Sequence, residues 1–118
     1  MTTIEQIGKA ALNGDAIFVR ALTQDLLSLY PVLAEVPKPE SSDLELLAVS
    51  AAIIELLSLR RGENPPTWTQ AIGALEKPVF LLRAATKMPR LREMCQDAAP
   101  YPLRRRRIYA PPDYLVFV

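Results

Sequence analysis

The chain has 118 residues, half of them hydrophobic, and its 14 lysine and arginine residues nearly balance 13 aspartate and glutamate residues. Histidine is absent and Cys95 is the only cysteine. This composition excludes Ser-His-Asp and Cys-His catalytic pairs, imidazole metal ligands, multi-cysteine zinc sites and internal disulfides. We therefore predict no catalytic residue, no cofactor and no metal site in a chain long enough for one modest core.

Charge is divided unevenly along the chain. Residues 1–82 carry six basic and ten acidic side chains, whereas residues 83–118 carry eight basic and three acidic ones. A basic end on an acidic body is typical of an interaction segment. The most apolar stretch, residues 44–59, contains Glu45 and Glu55 and is shorter than the about 20 residues of a membrane span. Because the N-terminus also lacks a secretory signal pattern, we expect a cytoplasmic protein without a membrane partner.

Two helices are predicted at the start of the chain. Thr3 and Gln6 form a capping-box pattern, which predicts a first helix that runs to about Leu12. Asp15 then supplies the N-cap of the next helix. Apolar residues recur at three- and four-residue steps after it, so the second helix is amphipathic and ends near Tyr30.

A longer helix is predicted in the middle of the chain. Two prolines make residues 36–41 a linker, because proline stiffens the chain and cannot continue a helix. Ser42 and Glu45 form a second capping-box pattern. The helix that follows runs to about Arg60, and Gly62 supplies its C-cap. Since it is apolar nearly all round, it is either the centre of a bundle or part of an oligomer interface.

Prolines break the rest of the chain into short elements. Thr67 begins a further capping pattern before a short helical turn. Residues 79–82 are apolar, and their length leaves both a strand and a helical turn open. Pro89 suits the first position of a last helix, which ends near Asp97. Four prolines among the last nineteen residues exclude a continuous helix there.

The predicted fold is all-α: a compact bundle of four to five helices over residues 1–99, with an extended, Pro-rich C-terminal arm over residues 100–118. The arm combines a run of arginines with aromatic side chains. Arginine supplies steering and charge-assisted hydrogen bonds, and aromatic side chains are efficient buried anchors. We predict that a partner contacts the arm and the lone tryptophan. The predicted partner-binding residues are Arg104, Arg105, Arg106, Arg107, Tyr109, Tyr114, Phe117 and Trp68.

Alternatives stay open for these residues. The arm either packs on its own domain, binds a protein partner or contacts nucleic acid through phosphates and stacked bases. The small net charge counts against nucleic acid. Trp68 is either a lid over the core or a partner contact.

Three further side chains were candidates for chemistry. Asp25 and Glu55 lie in strongly apolar helical stretches, and we interpret them as solvent-facing or salt-bridged acids rather than as an acid–base pair. Arg90 and Arg92 lie near Cys95 and would lower its pKa. Without histidine as a base, however, we interpret Cys95 as a small buried hydrophobe.

Four segments carry a resemblance to known proteins: residues 10–27, the Trp68 segment, the Met-Pro-Arg-Leu-Arg motif at 88–92 and the closing segment at 105–115. Together they resemble a group of small bacterial proteins of largely unknown activity, which includes antitoxin-like members of two-gene toxin–antitoxin modules. The resemblance implies a cytoplasmic bacterial protein that binds and restrains a co-encoded toxin-like enzyme, and it implies no catalytic residue.

The sequence thus predicts a non-enzymatic protein-interaction module, with a nucleic-acid-binding or regulatory protein that uses residues 104–107 as the alternative. Homo-oligomerisation through the helix at residues 44–59 or through the apolar C-terminus is compatible with both functions.

Overall fold

The computed structural model describes residues 2–116, which form a bundle of helices around one central helix. The prediction of an all-α bundle is confirmed. Within these residues the helices are α1 (Ile4–Leu12), α2 (Ala16–Leu29), α3 (Leu44–Arg61), α4 (Pro89–Ala98) and α5 (Tyr101–Arg104). Short 3-10 turns cover Leu33–Glu35, Thr67–Ala71 and Arg83–Thr86, and two short strands are β1 (Val79–Phe80) and β2 (Ile108–Tyr109).

Helix α3 is the central element because its apolar side chains surround the whole helix. Residues 46–58 are buried without interruption. Helix α1 and helix α5 both pack against α3, and α2 packs against α1. Each fully buried leucine or isoleucine contributes about 1.5–3 kcal/mol relative to an exposed one. Leu44 and Leu59 remain as exposed leucines near the two ends of this helix.

The first two helices begin at the predicted capping residues. The Thr3 hydroxyl accepts from the Gln6 amide N–H at 3.2 Å, and the Gln6 side chain accepts from the Thr3 N–H at 3.1 Å. The Asp15 carboxylate accepts from the Phe18 N–H at 3.0 Å and so caps α2. These bonds satisfy amide groups that have no partner inside the helix.

The start of α3 differs by one residue from the prediction. Asp43, and not Ser42, is the N-cap, and its carboxylate accepts from the N–H groups of Glu45 and Leu46 at 3.0 and 3.3 Å. The capping box predicted for Ser42 is wrong because the carboxylate satisfies two amides and also carries the negative charge that a helix N-terminus favours. At the other end Gly62 caps the helix with a left-handed backbone, as predicted.

Residues 79–82 contain strand β1, which pairs in parallel with β2. Val79 lies opposite Ile108, and Phe80 lies opposite Tyr109. The rings of Phe80 and Tyr109 are in contact, with centroids 5.4 Å apart. The sequence left open whether residues 79–82 form a strand or a helical turn, and pairing with β2 makes Val79–Phe80 a strand.

Residues 100–116 fold onto the bundle, whereas the sequence predicts an extended arm. Leu103 and Ile108 are fully buried, and Ala110 and Leu115 belong to the same hydrophobic core as α1 and α3. Proline does not prevent this, because α5 has its proline in the first helical turn, where no amide donor is missed. The predicted boundary at residue 99 therefore lies inside one packed unit. None of the described helices combines the length and the apolarity that crossing a membrane requires.

Candidate functional site

The four consecutive arginines lie on the turn from α5 to β2, and they do not share one surface. Arg106 is only 1% exposed. Arg104, Arg105 and Arg107 are exposed, and the left-handed backbone of Arg107, with φ of 63°, turns the chain into β2. Arg106, one of the predicted partner-binding residues, is therefore buried away from the surface, and the interior provides it with acceptors that compensate for the loss of water.

A buried ion pair explains the position of Arg106. Glu55, which projects from the middle of α3, is 9% exposed. Its two oxygens accept from the two terminal nitrogens of Arg106, with the Nη2 to Oε2 distance at 3.0 Å. Arg105 Nη2 donates to both Glu55 oxygens at 2.9 Å. We call these three residues the Glu55 clamp, and the salt-bridged interpretation of Glu55 agrees with this geometry.

The remaining donors of Arg106 bind backbone carbonyl groups. Its Nε donates to the Ile72 carbonyl at 3.2 Å, and its Nη atoms donate to the carbonyls of Pro102 at 3.2 Å and Thr69 at 2.9 Å. A buried charge is tolerated only when it is paired and its hydrogen-bonding groups are satisfied. The Glu55 clamp meets both conditions and ties α3, α5 and the 3-10 turn at Thr67–Ala71 together.

The ionisation of Glu55 makes it unsuited to acid–base chemistry. Burial by itself would raise the pKa of Glu55, but hydrogen bonds from Arg106 and Arg105 outweigh burial and hold the pKa below its ordinary value. A carboxylate that stays ionised between two arginines is a poor proton donor or acceptor near neutral pH. The arrangement can stabilise the fold, and it presents no proton for a reaction.

The predicted aromatic contacts are largely used inside the domain. Trp68 packs against the core and its Nε1 donates to the Val36 carbonyl at 2.8 Å, so it lies as a lid over the core. Tyr114 also packs against the core, and burial raises its pKa to about 12. Tyr109 is half-buried against Phe80. Phe117 lies outside the described residues.

The other two candidate side chains also have local structural environments. Cys95 is fully buried, and burial raises the pKa of its thiol. The lowering of this pKa expected from Arg90 and Arg92 is therefore wrong, and the burial agrees with the interpretation of Cys95 as a small buried hydrophobe. Asp25 accepts a hydrogen bond from the Thr2 hydroxyl. Over residues 2–116 no three histidine, cysteine, aspartate or glutamate side chains come together in a way that would hold a metal ion.

A basic surface forms where the 3-10 turn at Arg83–Thr86, α4 and α5 meet. This turn packs against α4, and Arg104 joins α5 to α4 by donating to the Asp97 carbonyl at 3.2 Å. Glu93 and Asp97 are the acidic residues in the sequence from 83 to 107. Met88 is 55% exposed and Tyr101 is 64% exposed on the same elements. The cations that we assign to this basic surface are the exposed Lys87, Arg90, Arg92, Arg104, Arg105 and Arg107 of these elements and of the turn after α5. Arg83 is exposed as well, but its side chain lies against Gly14.

An open cleft of about 380 Å³ lies between the start of α2, the chain that follows β1, and residues 111–115. We call it the α2 cleft. Ile17 at its edge is 84% exposed, and the adjacent Phe18 is 52% exposed. The apolar side chains that line the cleft are Ile17, Val19, Leu81, Leu82, Tyr114 and Leu115.

The sequence allowed a salt-bridged Glu55 but did not identify Arg105 and Arg106 as its partners. Glu55 lies in a helix that is apolar nearly all round, so its carboxylate was bound to be buried and to need a cation. The sequence offers several arginines for that role and does not specify which of them folds back. The α2 cleft had no sequence signal, because its walls come from three separate parts of the chain.

Comparison with models of protein families, with curated proteins and with solved structures yields no match to the chain. Functional reasoning therefore depends on the chemistry of its surfaces. Glu55 and Arg106 are internal, whereas the basic surface and the α2 cleft are open to other molecules.

Proposed function

We propose that the protein is a non-enzymatic interaction module that binds a partner protein through its basic surface and, in the manner of antitoxin-like proteins, restrains a co-encoded toxin-like enzyme in a bacterial cytoplasm. The observation that carries this proposal is the segregation of charge. Six exposed cations lie on the basic surface, and Glu93 and Asp97 are the acidic side chains of the same stretch. A partner with an acidic face is the chemical complement of such a surface.

The side chains on the basic surface favour a protein partner. Arginine forms paired hydrogen bonds with carboxylates and stacks on planar groups. Methionine adapts its shape to a partner, and tyrosine is enriched among residues that dominate binding energy. Exposed Met88, Met94 and Tyr101 lie among the cations, so the surface offers apolar contact area together with charge. Binding to a phosphate backbone depends mainly on cations and does not call for exposed methionine.

The negative charge of residues 1–82 is a second reason to expect a partner protein with an acidic patch rather than a nucleic acid. Residues 1–82 carry a net charge of −4, from six basic and ten acidic side chains. A long polyanion would meet this negative body as it approached, whereas a compact acidic patch needs to approach only the basic surface. The nucleic-acid alternative remains a distinct outcome of the experiment that follows.

The experiment uses the full chain as bait in a lysate of the native host. The test variant combines Lys87→Glu with Arg90→Glu, because both side chains are exposed on the basic surface. A matched control combines Lys9→Glu with Lys38→Glu, which changes charge equally on the body. We expect wild type and control to capture the same protein and the test variant to lose it, with unchanged circular dichroism for all three.

Two further measurements decide the function. Co-expression of the captured protein should inhibit growth, and wild type but not the test variant should relieve that inhibition. Equal capture by wild type and the test variant would exclude the basic surface as the binding site. Gel shifts with DNA and RNA at about 50 mM salt, the low end of the range in which phosphate contacts weaken, would support the alternative if the test variant abolished them.

A further inference from the structure

We propose that the α2 cleft is a self-association site, in which two copies of the chain pair about a two-fold axis and Phe18 of each copy packs at the cleft of the other. None of the six cations of the basic surface lines this cleft, so the proposal does not depend on the proposed function. The shape, the charge and the preformed walls of the cleft favour a second copy as its occupant.

The first turn of α2 contains both parts that a two-fold interface needs. In such an interface one patch meets a copy of itself, so it must carry a projecting group and a site that receives it. Phe18 projects, with half of its surface exposed, and the neighbouring Ile17 and Val19 line the cleft. An exposed aromatic beside an apolar cleft is unfavourable in water, and burying both in a dimer removes that cost.

The charges around the cleft suit a second copy better than a strongly charged partner. Asp15, Asp113 and Arg20 line the cleft. The side chain of Arg83 lies against Gly14 on the same rim, so close that a Cβ at Gly14 would lie 2.7 Å from Arg83 Cγ. With Arg60, which contacts the opposite wall, the rim carries two acids and three bases. Charges of both signs are therefore present, and a two-fold arrangement can place acids of one copy opposite bases of the other.

The basic surface provides the contrast. Its six exposed cations would face six cations if two copies met there, and like charges brought together across an interface oppose association. Charge therefore directs self-association to the cleft and leaves the basic surface for a partner of opposite sign.

The cleft walls are fixed by contacts within the chain. The Asp15 cap fixes the first turn of α2. Arg60 donates to the carbonyls of Tyr114 and Pro112 and so holds the opposite wall. A preformed site loses little conformational entropy when it is filled. A second copy can thus bind without first ordering the cleft.

The test is sedimentation velocity of the full chain from micromolar to submillimolar concentration. We expect the mass to rise from 13.1 kDa towards twice that value. Phe18→Glu should weaken dimerisation by about thirtyfold or more, the loss expected for a central anchor of an interface. Leu44→Glu is the matched control, because Leu44 is 75% exposed on another helix, and it should leave dimerisation unchanged. A wild-type chain that stays monomeric, or equal weakening by both variants, would overturn the proposal.

Cross-linking tests the contact itself. Cys95 is fully buried, so introduced surface cysteines can be oxidised selectively. A chain with Phe18→Cys mixed with a chain with Leu82→Cys should form the mixed disulfide in high yield. A Leu44→Cys chain mixed with the Leu82→Cys chain is the control and should not. Equal yields from the two mixtures would show that the cleft of one copy does not receive Phe18 of the other, and would point to a different occupant.

Discussion

Two regions of the molecule are stabilised in different ways. In residues 4–61, long helices form their own backbone hydrogen bonds and bury apolar side chains around α3. Residues 62–116 consist mainly of short elements, and many of their backbone carbonyl groups accept hydrogen bonds from arginine side chains. The donors are Arg60, Arg92, Arg104, Arg106 and Arg107, and the carbonyls that accept belong to Thr69, Ile72, Glu76, Ala85, Thr86, Asp97, Pro102, Pro112 and Tyr114.

This difference shows why a run of arginines does not by itself indicate a binding surface. Irregular backbone leaves carbonyl groups without partners, and buried carbonyls need donors. A guanidinium has five N–H donors and can satisfy several such groups at once. Arg106 serves the interior in this way, while its neighbour Arg104 makes one carbonyl contact and stays exposed.

The largest expected effect comes from removing the second region. A stop after Ala99 deletes Leu103, Ile108 and Leu115 from the core and leaves Glu55 buried without its arginines. Each large core side chain lost costs about 2–5 kcal/mol, against a total stability of about 5–15 kcal/mol. We expect circular dichroism to show that the truncated chain is unfolded, whereas the full-length protein measured beside it is folded. A cooperative urea transition for the truncated chain would show that the helical body is independent.

The next largest loss of stability distinguishes the buried Arg106 from the exposed Arg104. Glu55→Gln leaves the buried guanidinium group of Arg106 without a counter-charge and should destabilise the fold by about 3–5 kcal/mol in urea unfolding. Arg106→Met should also be strongly destabilising, since it leaves carbonyls and Glu55 with fewer donors. The control Arg104→Met should cost about 1 kcal/mol or less. Similar losses for Arg106→Met and Arg104→Met would contradict the distinction between interior and surface arginines.

The same clamp predicts a dependence on acid. Because the folded pKa of Glu55 lies below its ordinary value of 4.5, its stabilising contribution is complete above that value and is lost as pH falls through the folded pKa. Urea midpoints of wild type should therefore decline below the ordinary pKa more steeply than those of Glu55→Gln. Parallel declines would indicate that Glu55 is not ionised in the folded protein.

The buried Tyr114 predicts a loss of stability at alkaline pH, which tests how residues 111–115 pack on the rest of the protein. Burial raises the pKa of Tyr114 from 10.0 to about 12, so the fold favours its neutral form. Stability is then complete below pH 10 and falls as pH rises towards 12. Tyr114→Phe should reduce this alkaline loss, whereas Tyr101→Phe, at a side chain 64% exposed, should not. Phenolate absorbance during alkaline titration, with urea unfolding of the variants, measures both.

The smallest effect concerns the helical body alone. Asp43→Ala removes the cap of α3 and should cost about 1 kcal/mol. Ser42→Ala should cost close to nothing, since Ser42 is not the N-cap of that helix. Urea unfolding of the two variants compares them directly, and the reverse order would place the cap at Ser42.

The sequence by itself determined the helices of the body. Capping at Thr3 and Asp15, the apolar spacing in α2 and the stop at Gly62 depend on residues a few positions apart, so a linear pattern contains the whole interaction. The continuous apolar surface of α3 likewise required burial, either at the centre of a bundle or in an oligomer interface, and the fold places it at the centre.

The tertiary structure alone decided the C-terminal region. Strand β1 exists because β2 pairs with it, Arg106 is buried because Glu55 faces it across the core, and the α2 cleft needs walls from three parts of the chain. Each of these depends on residues that are distant in sequence and adjacent in space. A buried charge requires a partner, and only the packing of the elements selects which partner it receives.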